Sequence, residues 1–228
     1  MKIKIIYEDK YILCLEKPQG VPSQSDKTGD EDLMTAAMDH VKAKEKNPYL
    51  GLIHRLDRPV GGAIVYAKTE FANKELSKQV QERETKKEYL AVVCGKPENN
   101  SAVLEDYLKR LKTVNMSKVT TKDDLQAKLA RLEYESLGSV DTEEYGPLTL
   151  LNIKLHTGRH HQIRVQLSNA GMPIWGDNKY NKVFMKKKEF TFIALWSHKF
   201  GFKHPKTKEY TEFTSSLPNA YPFNLFNI

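Results

Sequence analysis

The chain has 228 residues, 36 Lys and Arg against 29 Asp and Glu, a net charge of +7 and a hydrophobic share of 39%. That share supports a buried core in water, and the absence of any run of about 18 apolar residues excludes a membrane-spanning helix. The positive balance suits a nucleic-acid partner and equally suits solubility alone, so charge does not choose between them.

The opening MKIKIIYEDKYILCLEK alternates charged with apolar residues, unlike a secretory leader, and a cytoplasmic protein is expected. Ile3–Tyr7 and Tyr11–Glu16 read as a strand pair around Glu8-Asp9-Lys10, and Pro18-Gln19-Gly20 then turns the chain. Asp30 is placed to cap a helix whose apolar positions Leu33, Ala37 and Val41 fall four apart. GAIVYAK reads as a buried strand, and Thr69 opens a helix carrying Ala72, Leu76 and Val80 on one stripe. KEYLAVVCG is a further strand, ended by Gly95 and Pro97.

Ala127 to Leu137 and Leu148 to His156 read as strands separated by an acidic turn, and QIRVQLSNAG as a helix with Gly171 past its end. FTFIALWSHKFGF and YTEFTS complete a C-terminal hairpin. Strands often follow one another directly, which predicts an α+β fold with a largely antiparallel or mixed sheet. No repeat or long linker appears, so a single domain over residues 1–228 is expected. Cys14 and Cys94 lie in apolar runs without metal-ligand spacing and read as buried reduced thiols.

Chemistry concentrates in three places. In GLIHRLDRPVGG, Asp57 stands between Arg55 and Arg58, and no other acid occurs between Glu45 and Glu70. Tyr89 lies early in KKEYLAVVCG, and HTGRHHQIRVQL gathers Arg159, His160, His161, Gln162 and Arg164. The spacing of His156, His160 and His161 invites a zinc reading, but the neighbouring arginines repel a cation and Gly158 interrupts the helix that the spacing would need, so no metal site is expected. Taken alone, Asp57 reads as a loop carboxylate in a salt bridge with Arg55 or Arg58, and Tyr89 as an ordinary strand aromatic. Two basic stretches, 108–128 and 182–188, matter only if they flank a site for a polyanion.

From about Tyr7 to Pro218 the sequence resembles the RluA-type pseudouridine synthases. The likeness is carried by LEKPQGVPSQ, HRLDRPVGGAIVYAKT, KEYLAVVCG, TGRHHQIRVQLSNAGMPIWGDNKY and FGFKHPKTKEYTEF. The resemblance implies a single catalytic domain with a bent sheet flanked by helices and loops; many relatives also bear a small N-terminal RNA-binding domain, and none is expected here. It implies isomerisation of uridine to pseudouridine in structured RNA, ribosomal or transfer, by a monomer using no cofactor or metal. Asp57 matches the catalytic acid, acting as nucleophile or base, Tyr89 the ring that stacks on uracil, and Arg164 the partner of the acid. Arg55, Arg58 and Arg159 are then expected to meet RNA, and His161 and Gln162 to order their loop or contact RNA. Asp177 also matches, with turn stabilisation as its expected role. Val60 stands where many relatives have a hydroxyl, which leaves the rigidity of the Asp57 loop open. The rival readings are an RNA-binding or ribosome-assembly protein of the same fold without turnover and, last, a nuclease or glycosidase, for which no second carboxylate or metal set stands at a recognisable spacing.

Overall fold

The computed structural model describes residues 1–187 and 191–227. Its contacts divide the chain into two units, Met1–Lys87 with Trp196–Leu217 and Glu88–Leu195 with Pro218–Ile228. In the first, β1 (Lys4–Glu8) and β2 (Ile12–Lys17) pair antiparallel. Their turn is fixed by Asp9, whose Oδ1 accepts the backbone N–H groups of Tyr11 and Ile12 at 2.7 and 2.8 Å. Helix α1 (Leu33–Lys42) buries the expected Leu33, Ala37 and Val41. Its cap is Asp32 rather than Asp30: Asp32 Oδ1 sits 3.0 Å from Thr35 N, whereas Asp30 pairs with Arg58. The carboxylate two residues nearer the first core leucine reaches the orphan N–H, and the earlier one does not.

A short β3 (Gly51–Leu52) leads through a loop into β4 (Gly61–Ala67), every residue of which is buried. Helix α2 (Glu70–Gln81) follows, capped by Thr69 as expected, with Thr69 Oγ1 accepting from Ala72 N at 3.1 Å. Ala72, Leu76 and Gln79 face inward, Val80 packs at the edge of the core, and the Gln79 amide exchanges two hydrogen bonds with the Lys203 backbone.

The second unit holds β5 (Lys86–Cys94, from Glu88 onward), β6 (Ser101–Leu111), β7 (Met116–Thr120), β8 (Lys128–Thr142) and β9 (Gly146–Leu155). They form an antiparallel sheet in the order β5-β9-β8-β6-β7. The hairpin β6–β7 has no sequence signal because its residues alternate between exposed and half-buried rather than apolar and polar. Strand β8 runs past Leu137, where its expected end lay. A bulge between Ser136 and Gly138 absorbs one residue, and pairing continues to Thr142. Helix α3 (Gln162–Asn169) ends at Gly171, whose φ of +76° matches the left-handed turn read from the sequence. A short α4 (Lys182–Met185) follows.

The chain returns to the first unit with β10 (Leu195–Lys203) and β11 (Tyr210–Thr214), an antiparallel hairpin. The first strand of that hairpin begins at Leu195, and the expected start at Phe190 lies outside the described residues. The sheet of this unit runs β1-β2-β4-β10, with β10 parallel to β4. Phe200, Phe202 and Phe213 from the hairpin pack with Ile12, Cys14 and Val65, each large apolar side chain contributing about 1.5–3 kcal/mol of burial. The fold is mixed α+β, as read from the sequence.

Candidate active site

The loop that bears Asp57 runs from Ile53 to Val60 and is tied down on both sides of the acid. Ser23 Oγ donates to the Leu56 carbonyl at 2.9 Å and accepts from Leu56 N at 3.1 Å. Buried Tyr66 fixes Ser23 in turn, its hydroxyl donating to the Ser23 carbonyl at 2.7 Å. After the acid, the Arg58 carbonyl accepts from Gly20 N at 2.9 Å and from Lys17 Nζ at 3.0 Å, and Val60 N closes a turn onto the Asp57 carbonyl at 2.9 Å. These backbone ties fix the loop without a hydroxyl at position 60, and the buried Val60 side chain takes its place.

The glycines that follow are required by close approach. A Cβ on Gly61 would lie 2.2 Å from the Trp196 ring, and one on Gly62, at a φ of +112°, would lie 2.2 Å from the Ser197 carbonyl. Asp57 itself is half-buried and Arg55 is exposed. Arg58, expected to meet RNA, donates within the protein to the Gly20 carbonyl, to Thr28 and to Asp30.

His54 stacks on Phe200 at 4.2 Å and accepts from Val65 N at 3.2 Å. Burial, with Lys87 adding a smaller push, lowers its pKa to about 3. The unfolded chain therefore takes up a proton near pH 6.5 that the folded chain refuses. Stability rises with pH across that window and is lost as pH falls below 6.5, by about 1.4 kcal/mol per pH unit. Urea titrations between pH 6.5 and 4.5 are expected to show this slope reduced by that amount in His54→Gln. An unchanged slope would show that the imidazole titrates in the folded state.

In the second unit, Tyr89 is buried in β5 opposite Ile153 of β9. The loop after β9 is organised around Gln162, only 3% exposed. Its Oε1 accepts from Thr157 Oγ1 at 2.8 Å and Arg159 N at 3.0 Å, and its Nε2 donates to the Arg131 carbonyl at 3.2 Å. Gln162 is therefore the organiser of this loop, and half-buried Arg159 is anchored by its Nε to the Leu129 carbonyl at 2.9 Å.

His161 occupies the left-handed region at a φ of +54° just before α3. Burial first, then Arg164, His160, Lys179 and Arg110, lower its pKa to about 2. The ring stays neutral, and its Nδ1 shares a hydrogen bond of 2.9 Å with the Tyr180 hydroxyl, which accepts from Ser117 N at 2.7 Å. His160 and His156 take other partners, Ser117 and Glu133.

Arg164 is buried and grips Asp177 with two hydrogen bonds, Nε to Oδ2 at 2.8 Å and Nη2 to Oδ1 at 2.6 Å. Asp177 Oδ1 also accepts from Lys179 N and Tyr180 N at 2.9 and 3.2 Å, so it holds both the turn expected of it and the guanidinium. This pair was missed from sequence because nothing in the thirteen-residue separation marks two polar residues as jointly buried. The docking of the β6–β7 tip was missed as well: Lys179 Nζ donates to the Asn115 carbonyl at 2.9 Å, and His160 Nε2 lies 3.1 Å from Asn115 Oδ1. In the basic stretches, Lys109 pairs with Asp124 and Lys187 with Glu144, while Lys112, Lys118 and Lys122 are exposed and Lys188 lies outside the described residues.

Comparison with known proteins bears on both units. The family model for RNA pseudouridylate synthase matches residues 11–169. An uncharacterized RNA pseudouridine synthase of Bacillus subtilis is 32% identical over 224 residues, covering 96% of this chain and 70% of that protein. Ribosomal large subunit pseudouridine synthase D of Nitrosomonas europaea is 30% identical over 95% of this chain, which spans only 62% of that protein. Human RNA pseudouridylate synthase domain containing 1 superimposes with a TM-score of 0.80, covering 96% of this chain and 85% of that one at 21% identity, a likeness of fold. The chain thus belongs to the RluA-type family of RNA pseudouridine synthases, which are isomerases.

Proposed function

We propose that this synthase modifies ribosomal RNA and that Asp57 is its reacting acid. The observation that carries the reading is the Asp57 loop itself. One carboxylate is presented, half-buried, from a turn whose flanking peptides are fixed by Ser23, Gly20 and Lys17. A fixed acid suits a reaction in which the bond from ribose carbon 1 to uracil nitrogen 1 opens, the base turns, and carbon 1 bonds to uracil carbon 5 as the proton on that carbon leaves. Nothing departs from the sugar to solvent, so one acid suffices. The ribosomal substrate is favoured by relatives named ribosomal large subunit pseudouridine synthases.

The remaining roles are those that the family resemblance implies. Arg164 and Tyr89 are the further catalytic candidates, matching the family's active-site arginine and its uracil-stacking tyrosine. The target base leaves its stack at a cost of a few kcal/mol, and exposed Arg55 and the lysines of the β6–β7 hairpin offset part of that by phosphate contacts. Arg58 and Gln162 order their own loops instead. The enzyme works as a cytoplasmic monomer.

The test uses RNA tritiated at uracil carbon 5. Release of label to water is expected from transcripts of large-subunit ribosomal RNA and not from transfer RNA. Release from transfer RNA alone would overturn the ribosomal assignment, and RNA binding without release from either would favour a binding protein.

A further inference from the structure

We infer that the ammonium of Lys87 is a binding point for a phosphate of the RNA, beside the Asp57 loop. The inference rests on RNA being held at that loop, as the assignment of Asp57 requires.

Lys87 is the second residue of β5, half-buried, and belongs to the first unit. Its Nζ lies 5.9 Å over the centre of the Phe200 ring. Phe200 stacks on His54, which stands in the loop three residues before Asp57, and the charge of Lys87 is felt at the His54 ring. Among the described residues, no carboxylate or carbonyl accepts a hydrogen bond from this ammonium. Two buried lysines of the same unit are treated differently. Lys68 meets Glu8 and Glu45 at 2.9 Å each, and Lys17 meets three carbonyl oxygens. Glu212 of β11 serves Lys86 and Lys199, at 3.3 and 3.7 Å.

A cation drawn out of water without a counter-ion destabilises the fold, and burial lowers the pKa of Lys87 accordingly. The face of Phe200 offsets only part of that loss. A phosphate would offset the rest, because it neutralises the charge where water is scarce and the attraction is strong. A base carbonyl would leave the charge standing. Half-burial leaves the ammonium within reach of a ligand, and the ligand of this loop is a polyanion. The fold thus tolerates an unfavourable cation at a place where substrate binding makes it favourable.

The experiment uses the intact chain and the transcript from which the wild type releases tritium, with affinity measured from about 50 to 200 mM salt and the unfolding midpoint alongside. Lys87→Met is expected to bind about tenfold more weakly at low salt, as the loss of one charge-assisted contact implies. Its slope of log affinity against log salt should flatten by about 0.7–0.9, the share of one phosphate. Its unfolding midpoint should equal or exceed that of the wild type, because a charge without a counter-ion has been removed. Lys87→Arg keeps a cation and should hold both the slope and an affinity within about threefold of wild type.

Wild-type affinity and slope in Lys87→Met overturn the inference. Weaker binding with an unchanged slope also overturns it, since the ammonium then meets a base rather than a phosphate. A lower midpoint with an unchanged slope assigns the ammonium to the fold, through Phe200, and overturns it as well. If Lys87→Met does not fold, the wild type decides: the side-chain carbon-13 resonance of Lys87 should titrate at higher pH with RNA bound than without, and an unmoved titration removes the role. Continued tritium release by Asp57→Asn would sink the assignment of Asp57 and this site with it. A dead Asp57→Asn together with an unaltered Lys87→Met sinks Lys87 alone.

Discussion

Asp57→Asn is expected to reduce tritium release by on the order of 10³-fold or more while leaving RNA affinity and the unfolding midpoint near wild type. The amide matches the carboxylate in size and removes only its charge and its capacity as nucleophile or base. The backbone ties of the loop run to the Leu56 and Arg58 peptides and close on the Asp57 carbonyl, and the amide leaves these in place. Turnover within tenfold of wild type would remove Asp57 from the chemistry. A large fall in unfolding midpoint would show instead that the carboxylate serves the fold.

The second large effect concerns Arg164 and Asp177. Both are essentially buried, joined by two short hydrogen bonds, and Asp177 also receives two backbone N–H groups of the turn that follows. Asp177→Ala leaves a guanidinium buried without this counter-ion and two N–H groups without their acceptor. Breaking a buried pair in this way costs about 3–5 kcal/mol. For a chain of this length that lowers the unfolding midpoint by roughly 6–20 °C. Asp177→Asn should cost distinctly less, because its amide oxygen can still accept from Lys179 and Tyr180. Calorimetry on the three proteins checks the order wild type, Asn, Ala. Equal losses for Asn and Ala would show that the charge dominates and the turn contributes little.

Much of this was legible in the residues. Apolar runs such as ILCL and GAIVYA are strands because their side chains gain by leaving water, and Thr69 and Gly171 mark helix ends by their own chemistry. The sequence also placed Asp57 in a glycine-bearing loop before a strand. What escaped was decided by tertiary neighbours. Lys17 looks like the polar end of a strand, and only the folding of residues 18–23 and 56–59 over it makes it a buried cation. Asp30 and Asp32 are chemically equivalent candidates for a cap, separated only by which one reaches Thr35. The β6–β7 hairpin lacks alternation because neither of its faces is fully covered. Arg58 reads as a ligand for phosphate until Gly20, Thr28 and Asp30 are seen around it.

The parallel register of Trp196 and Ser197 on Gly61 and Gly62 has a kinetic meaning during synthesis. The strand that launches from the Asp57 loop finds its neighbour some 135 residues later, with Glu88–Leu195 of the second unit made in between. A nascent chain emerging from the ribosome cannot close this seam until residues near 200 are clear of the exit tunnel. Contacts of such long sequence separation are slow to form. The unit that carries the acid should therefore mature late, and halting translation before Trp196 should leave a β4 edge without its β10 partner, open to proteolysis and aggregation.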